Sequence, residues 1–468
     1  MHDKVKSYFA TIAWVNGTWA KDVLLSVARD GTWAGIQVNA SIEQQRGATR
    51  LSGPVLPGLV NAHSHAFQRA IAGMTERTSG GQDNFWSWRD RMYSAAQRIT
   101  PQQLEAIAAL LYAELLQAGY TQVCEFHYLH NDIGGKPYAN PLEMSLALVR
   151  AAQRVGIGIT LLPTLYMRSG FAAAGLKNDR PLRRDQQRFA STPDLIFKTC
   201  EGIQSQLGSN MVHTGLALHS LRAVGQDALR EAAAYAKSRR MPIHIHVAEQ
   251  TGEVADCLDT NGQRPVEWLL SHAALDASWN LVHATHTTPE ELQGVKASGA
   301  SIVLCATTEA NLGDGVFDLP HYARLQGGWS IGSDSHVARS WQEELRLLEY
   351  AQRLALRQRN VMAGAAGQRC TAAGLFNAAL AGGSSACGLP TGGLVAGQRA
   401  DFSVVDTTSA ALLGVPADHL LDAMVFSSPD ARLAEVYVAG RPVVQAGVVK
   451  NWQGLADDFS SAMLALWC

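Results

Sequence analysis

The chain has 468 residues, 47% hydrophobic and 17% charged, with a net charge of −2. That apolar content builds a large core, and the balanced charge excludes a global basic field for nucleic acid or anionic lipid. Seven scattered cysteines (Cys124, Cys200, Cys257, Cys305, Cys370, Cys387 and Cys468), with no Cys-x-x-Cys, fit reduced thiols. The opening "MHDKVKSYFATIAWVNGTWAKD" lacks a signal-peptide apolar stretch, and no apolar run is long enough to span a membrane. The expectation is a soluble cytoplasmic enzyme acting on a small molecule, without nucleic acid or membrane partners.

In chain order, residues 1–56 hold short alternating strands with turn signals, such as "GTWAGIQVNA". Apolar, β-branched runs then recur at 58–63, 121–129, 156–165 and 214–220, followed by 242–249, 280–286, 300–309 and 329–336. Helix-like stretches separate most of them. The one over 100–119 opens with Thr100 as N-cap and Pro101 at the first helical position, and closes on Gly119. Eight strand runs alternating with helices argue for parallel βα units, and eight is the number that closes a barrel. Short strands return over 392–450, in "GQRADFSVVD" and "EVYVAGRPVVQAG". The expected fold is α/β: a (β/α)8 TIM-like barrel over 57–391, with a small β-sandwich formed by 1–56 and 392–450. A helical tail, 451–468, follows.

In such a barrel the chemistry sits where strands end, at the C-terminal face. His63 and His65, one residue apart in "PGLVNAHSH", point to the same side of the first strand. His246 ends the fifth run and is followed by Glu249, His283 ends the sixth, and Asp334 ends the eighth. Imidazoles with a carboxylate suit a borderline divalent cation such as zinc, with one position open for water. A lone histidine at a strand end is more often a satisfied core residue, the reading given to His127, His130, His213 and His272. His244, deeper in its strand, reads as packing or support. The joint pattern outweighs any single histidine.

"PGLVNAHSH", "HVAE" and "GSD" together resemble the amidohydrolase superfamily of metal-dependent hydrolases, over nearly the whole chain. The resemblance implies that His63, His65, His246 and Asp334 surround the metal, with His283 close by. Dinuclear members carry a bridging lysine after the fourth strand. The stretch 199–236 contains none, which favours one divalent ion per subunit, with zinc ahead of iron or manganese. Glu249, in His-x-x-Glu, resembles the proton-shuttling acid of the deaminase branch; the alternative is a loop salt bridge.

Three loops, "HAFQRAIAGMTE", "FWSWRDRMY" and "LCATTEANLGDGVFDL", further resemble the N-formimino-L-glutamate deiminases of histidine degradation. That implies catalysis by Glu249, His283 and Asp334, and substrate binding by Gln68, Arg89, Tyr128, His219 and Arg222. Arginine offers a planar fork for carboxylates. Against this, Arg89 is equally read as a surface partner of Asp90 or Glu76, Tyr128 as a packing residue, and Glu309 as a loop cap. A guanine- or cytosine-type base deaminase on the same scaffold is the alternative function. A homodimer is implied by resemblance alone.

Overall fold

The structure is a computed structural model that describes residues 6–77, 84–171, 180–427 and 431–468. The chain first lays down β1 (Lys6–Val15), β2 (Thr18–Val27), β3 (Trp33–Gln37), β4 (Thr49–Arg50) and β5 (Val55–Pro57). The barrel strands follow: β6 (Leu59–Ser64), β7 (Tyr120–His127), β8 (Gly158–Leu165), β9 (Val212–Thr214), β10 (Leu216–Ser220), β11 (Ile243–Val247), β12 (Trp279–His283), β13 (Ser301–Leu304) and β14 (Trp329–Ile331). The chain then returns to the first sheet with β15 (Phe402–Val405), β16 (Leu433–Val438), β17 (Arg441–Gln445) and β18 (Val448–Val449).

Strands β6, β7, β8 and β10 to β14 pair in sequence order, all in parallel, while short β9 adds to β8. Every residue of β6, β7, β8 and β11 is buried, as expected of strands covered on both faces by side chains and helices. The ring closes through a parallel bridge between Ser64 and Asp334. There the Asp334 N–H donates to the His63 carbonyl (3.0 Å) and the His65 N–H to the Asp334 carbonyl (3.2 Å). The seam of the barrel therefore runs through His63, His65 and Asp334, three side chains of types that can ligate a metal.

The expected α/β barrel with a separate unit from both chain ends is what the structure contains. Strands β5 and β15 pair antiparallel and join the two ends in one sheet, ordered β18–β17–β16–β15–β5–β1–β2–β3. Its inner face carries a second core around Tyr8, Trp33, Phe402 and Tyr437. The helix Pro101–Ala118 has the anticipated signals: the Thr100 hydroxyl accepts from the Gln103 N–H, and Gly119 is left-handed at φ 97°. Two strands are much shorter than their apolar runs imply. The run 329–336 is extended only to Ile331. The run 300–309 is extended only to Leu304, and Ala306–Leu312 is a helix. Trp452–Trp467 is helical and the Trp467 indole donates to the Ala70 carbonyl. None of the described helices is long and apolar enough to cross a membrane.

Candidate active site

His63 and His65 project from the end of β6, and His246 from β11. Their Nε2 atoms converge: His63 lies 3.1 Å from His65 and 3.0 Å from His246. The Asp334 Oδ1 stands 3.5 Å from His63 Nε2 and 3.4 Å from His65 Nε2. Burial, with the neighbouring histidines adding to it, pushes His63 and His246 well below the ordinary imidazole value. They are held neutral, the form that ligates metals. The His65 Nδ1–H donates to the Phe126 carbonyl and the His246 Nδ1–H to the His219 carbonyl, both at 2.9 Å. Those bonds fix the tautomer that leaves each Nε2 lone pair facing the cluster. Two nitrogens each ~2.0–2.1 Å from one ion lie ~2.9–3.4 Å apart at angles between square and tetrahedral. The donor set and its spacing therefore fit one divalent cation.

His283 is placed differently. Its Nδ1 faces Glu309 Oε1 at 3.2 Å, and its Nε2 lies 3.7 Å from Glu249 Oε1 and 3.9 Å from Asp334 Oδ2. Burial opposes a charge on this ring, but Glu249, Glu309 and Asp334 override it and push its pKa up to about 10. His63, His246 and His283 still lie close enough to share an ion, as do His283, Cys305 and Asp334. Burial raises the Cys305 thiol well above its usual value, which keeps it protonated and a poor ligand. Both His283 (φ 69°) and Asp334 (φ 44°) hold left-handed backbone, as do Ala248, Ala284 and His336. Such non-glycine conformations cost ~1–3 kcal/mol each and collect where a side chain must be aimed.

A pocket opens over this cluster, lined by His65, Asp334, His283 and Glu249 below and by Gln68, Arg89, Tyr128, His219 and Arg222 around its walls. The structure thus brings together every residue assigned from sequence to catalysis or substrate; His63 lies beneath, fully buried. Glu249 reaches into the pocket rather than to a loop cation. Arg89 does not pair with the residues considered for it: Asp90 meets Arg183 at 3.0 Å, and Glu76 accepts from Asn311 at 2.9 Å. Instead Arg89 and Arg222 both stack against Trp86, at 4.4 and 5.6 Å from its ring. Among the described residues, Arg89 Nε, Arg222 Nε and one terminal nitrogen of Arg222 are buried without an acceptor. The Gln68 side-chain N–H donates to the Tyr128 hydroxyl at 3.2 Å, leaving the Gln68 Oε1 buried without a donor among the described residues.

Several contributors carry no signal in the sequence. Glu253 accepts from the backbone N–H groups of Ala248 and Glu249, both at 3.1 Å, and so fixes the turn that presents Glu249. Glu125 accepts from the Ser64 hydroxyl and the Ala66 N–H, both at 2.6 Å, clamping the His-x-His segment from behind. Glu309 is the loop cap that one reading makes it, accepting from the Cys305 N–H at 3.0 Å. It also faces His283 Nδ1 at 3.2 Å, a contact with that ring that the sequence did not suggest. The histidines set aside do stay out of the pocket: His130 Nε2 donates to the Thr164 carbonyl, His244 Nε2 to that of Ala386, both at 2.8 Å, and His272 sits on a helix.

A family model described as the amidohydrolase family matches residues 55–443. The chain belongs to the amidohydrolase family. It is a hydrolase acting on carbon–nitrogen bonds, and the family's dependence on metal agrees with the histidine and aspartate cluster. The formimidoylglutamate deiminase of Pseudomonas aeruginosa is 43% identical over 443 residues, covering 95% of each chain. A 5-methylthioadenosine/S-adenosylhomocysteine deaminase of Haloquadratum walsbyi is 26% identical over 84% of this chain and 79% of its own. Among solved structures, an amidohydrolase from Brucella melitensis superposes with a TM-score of 0.91 at 39% identity, covering 99% of this chain and 100% of that one.

Proposed function

We propose that this amidohydrolase hydrolyses N-formimino-L-glutamate to N-formyl-L-glutamate and ammonia, a step of histidine degradation. The observation that carries this reading is the pair of half-buried arginines, Arg89 and Arg222, whose buried guanidinium nitrogens have no partner among the described residues and which line the same pocket as the metal-type cluster. A buried donor without an acceptor is costly, and two cationic donors ask for an anionic partner. The substrate supplies two carboxylates at one end and an amidine-like head at the other. The 43% identical relative, named for the same substrate, supports the assignment. A purine or pyrimidine would leave both guanidinium groups without carboxylates, which disfavours that alternative.

His63, His65, His246 and Asp334 would hold a single divalent ion, for which zinc suits the ligand set. When bound, it supplies Lewis acidity and lowers the pKa of a coordinated water. Asp334 accepts the proton released by the attacking water. His283, oriented by Glu309, hydrogen-bonds the developing tetrahedral centre. Burial pushes the Glu249 carboxyl up to about 7; His283 opposes this, and Asp334 and Glu253 add to it. A carboxyl balanced between its two forms near neutral pH suits proton delivery. Glu249 delivers a proton to the imino nitrogen as the water oxygen adds to carbon; the proton held by Asp334 then passes to the same nitrogen while Glu249 takes back the hydroxyl proton, so the carbon–nitrogen bond breaks, ammonia leaves and the oxygen becomes the formyl carbonyl. Arg89 and Arg222 hold the carboxylates, while Gln68, Tyr128 and His219 line the path between the two ends. Fixed ends bring water and carbon into a reactive geometry.

The test is ammonia release from N-formimino-L-glutamate alongside 8-oxoguanine, cytosine and adenosine. Turnover confined to the formimino substrate is expected; turnover of a base alone would replace this reading with a base deaminase. A cytoplasmic homodimer belongs to the same proposal, and light scattering of the purified protein tests its size.

A further inference from the structure

Next to Glu249, but outside the pocket that the arginines share, lies a second group of polar atoms that neither the metal cluster nor the substrate clamp uses. Asp314, on the turn after the helix Ala306–Leu312, is 5% exposed. Its Oδ1 accepts from the Gln250 side chain, the residue next to Glu249, while its Oδ2 is buried without a donor. Gly315, next in the chain, is packed so closely on the loop after β12 that a Cβ there would stand 3.3 Å from His286 and 3.5 Å from Thr285. The Thr285 hydroxyl, on a residue 6% exposed, and the His286 Nε2 are likewise buried without partners. The loops after β11, β12 and β13 therefore converge, and three polar atoms along them are unsatisfied among the described residues. The His286 N–H, bonded to the Ala248 carbonyl at 3.0 Å, ties this corner to the turn that presents Glu249.

All three atoms can accept a hydrogen bond, and one belongs to a carboxyl group. Burial, with Glu249 adding to it, pushes that carboxyl up to about 9, so its charged form waits for a cation to favour it. A small cation with several N–H donors satisfies such a set and also balances the carboxylate; water can fill acceptors but brings no charge, and an anion does neither. The proposed reaction generates one at this spot. The nitrogen protonated by Glu249 leaves as ammonia, which at neutral pH becomes ammonium with four N–H donors. Its other route, past Arg89 and Arg222, is repelled by two positive charges and occupied by the dicarboxylate product. We infer that Asp314, Thr285 and His286 form an ammonium-accepting site behind Glu249, through which the leaving nitrogen departs while the formyl product stays on the arginines.

This inference rests on the deiminase reading, because it takes ammonia as product. The experiment compares ammonium chloride with matched sodium chloride on the metal-loaded enzyme, for the wild type, Asp314→Asn and Thr285→Val. Both substitutions keep side-chain shape, and the amide introduced by D314N retains an oxygen for Gln250. Inhibition of wild-type turnover by ammonium is expected to be non-competitive with substrate, since the site lies apart from the clamp. Its inhibition constant should rise about tenfold or more in D314N, the scale of a lost charged hydrogen bond. Ammonium over sodium should also raise the melting temperature of the wild type and not that of D314N. That shift needs no substrate, so it separates the two claims. A shift without ammonia release from N-formimino-L-glutamate would keep the site and refute the deiminase reading. Equal ammonium inhibition and equal shift in wild type and D314N, or no ammonium effect in either, would overturn the site.

Discussion

On the proposed function, Glu249 and Arg222 carry separable demands, one on the proton and one on the substrate's charge. Glu249→Gln keeps the shape and removes the proton, so kcat should fall ~10²–10⁴-fold while metal content stays at the wild-type level, measured by elemental analysis. Near-normal turnover would remove Glu249 from proton transfer. Arg222→Met should leave metal content and kcat close to wild type and raise KM ~10–100-fold, the scale of a charged hydrogen bond. An unchanged KM would mean that Arg222 is not a carboxylate clamp. Residues such as these were legible because their chemistry is carried by type and by position at a strand end. Glu253, Glu125 and Asp314 were not. Each is one acidic residue in a loop, helix or strand, and its role depends on a backbone N–H or side chain brought to it by the fold.

Among the elements, two short segments decide whether the cluster forms. In "GSD", Gly332 lies so close to β6 that a Cβ would stand 2.6 Å from the His63 Cβ and 2.7 Å from its backbone nitrogen. Gly332→Ala should therefore push β14 away from β6 and lower metal occupancy, though Gly332 touches no metal; full occupancy in a folded variant would contradict the seam described here. The helix Ala306–Leu312 carries Glu309 and is held at its start by Glu344, whose carboxylate accepts from the Thr307 N–H at 3.1 Å and from its hydroxyl. Burial pushes the Glu344 carboxyl up to about 8 from 4.5. An acid raised in the folded state contributes stability that is full below its ordinary value and is lost as pH rises through the folded one. The wild-type melting temperature should fall between pH 4.5 and about 8 more steeply than that of Glu344→Gln; parallel curves would show that Glu344 is already ionised. The parallel strands were readable as short apolar runs between helix signals. The overrun at 300–309 arose because β-branched threonines extend an apolar run in sequence, while in space Glu309 turns back to the Cys305 N–H and closes a helix.

For the whole molecule, the fold was legible from alternation of strand and helix patterns, and the joining of both chain ends from their shared strand-and-turn composition. The pairing of β5 with β15 was not, because nothing local records a contact across more than 300 residues. The ends share a sheet whose β5 runs directly into β6, the strand that carries His63, so the barrel's seam and the terminal sheet are fixed together. On the proposed function, this architecture gathers His63, His65, His246 and Asp334 around a single divalent ion that the reaction requires. The most direct measurement is ammonia release from N-formimino-L-glutamate by chelator-stripped protein, titrated with zinc. No turnover is expected without metal, with a linear rise that saturates at one equivalent per chain. Turnover undiminished by stripping, or saturation only at two equivalents, would contradict that expectation.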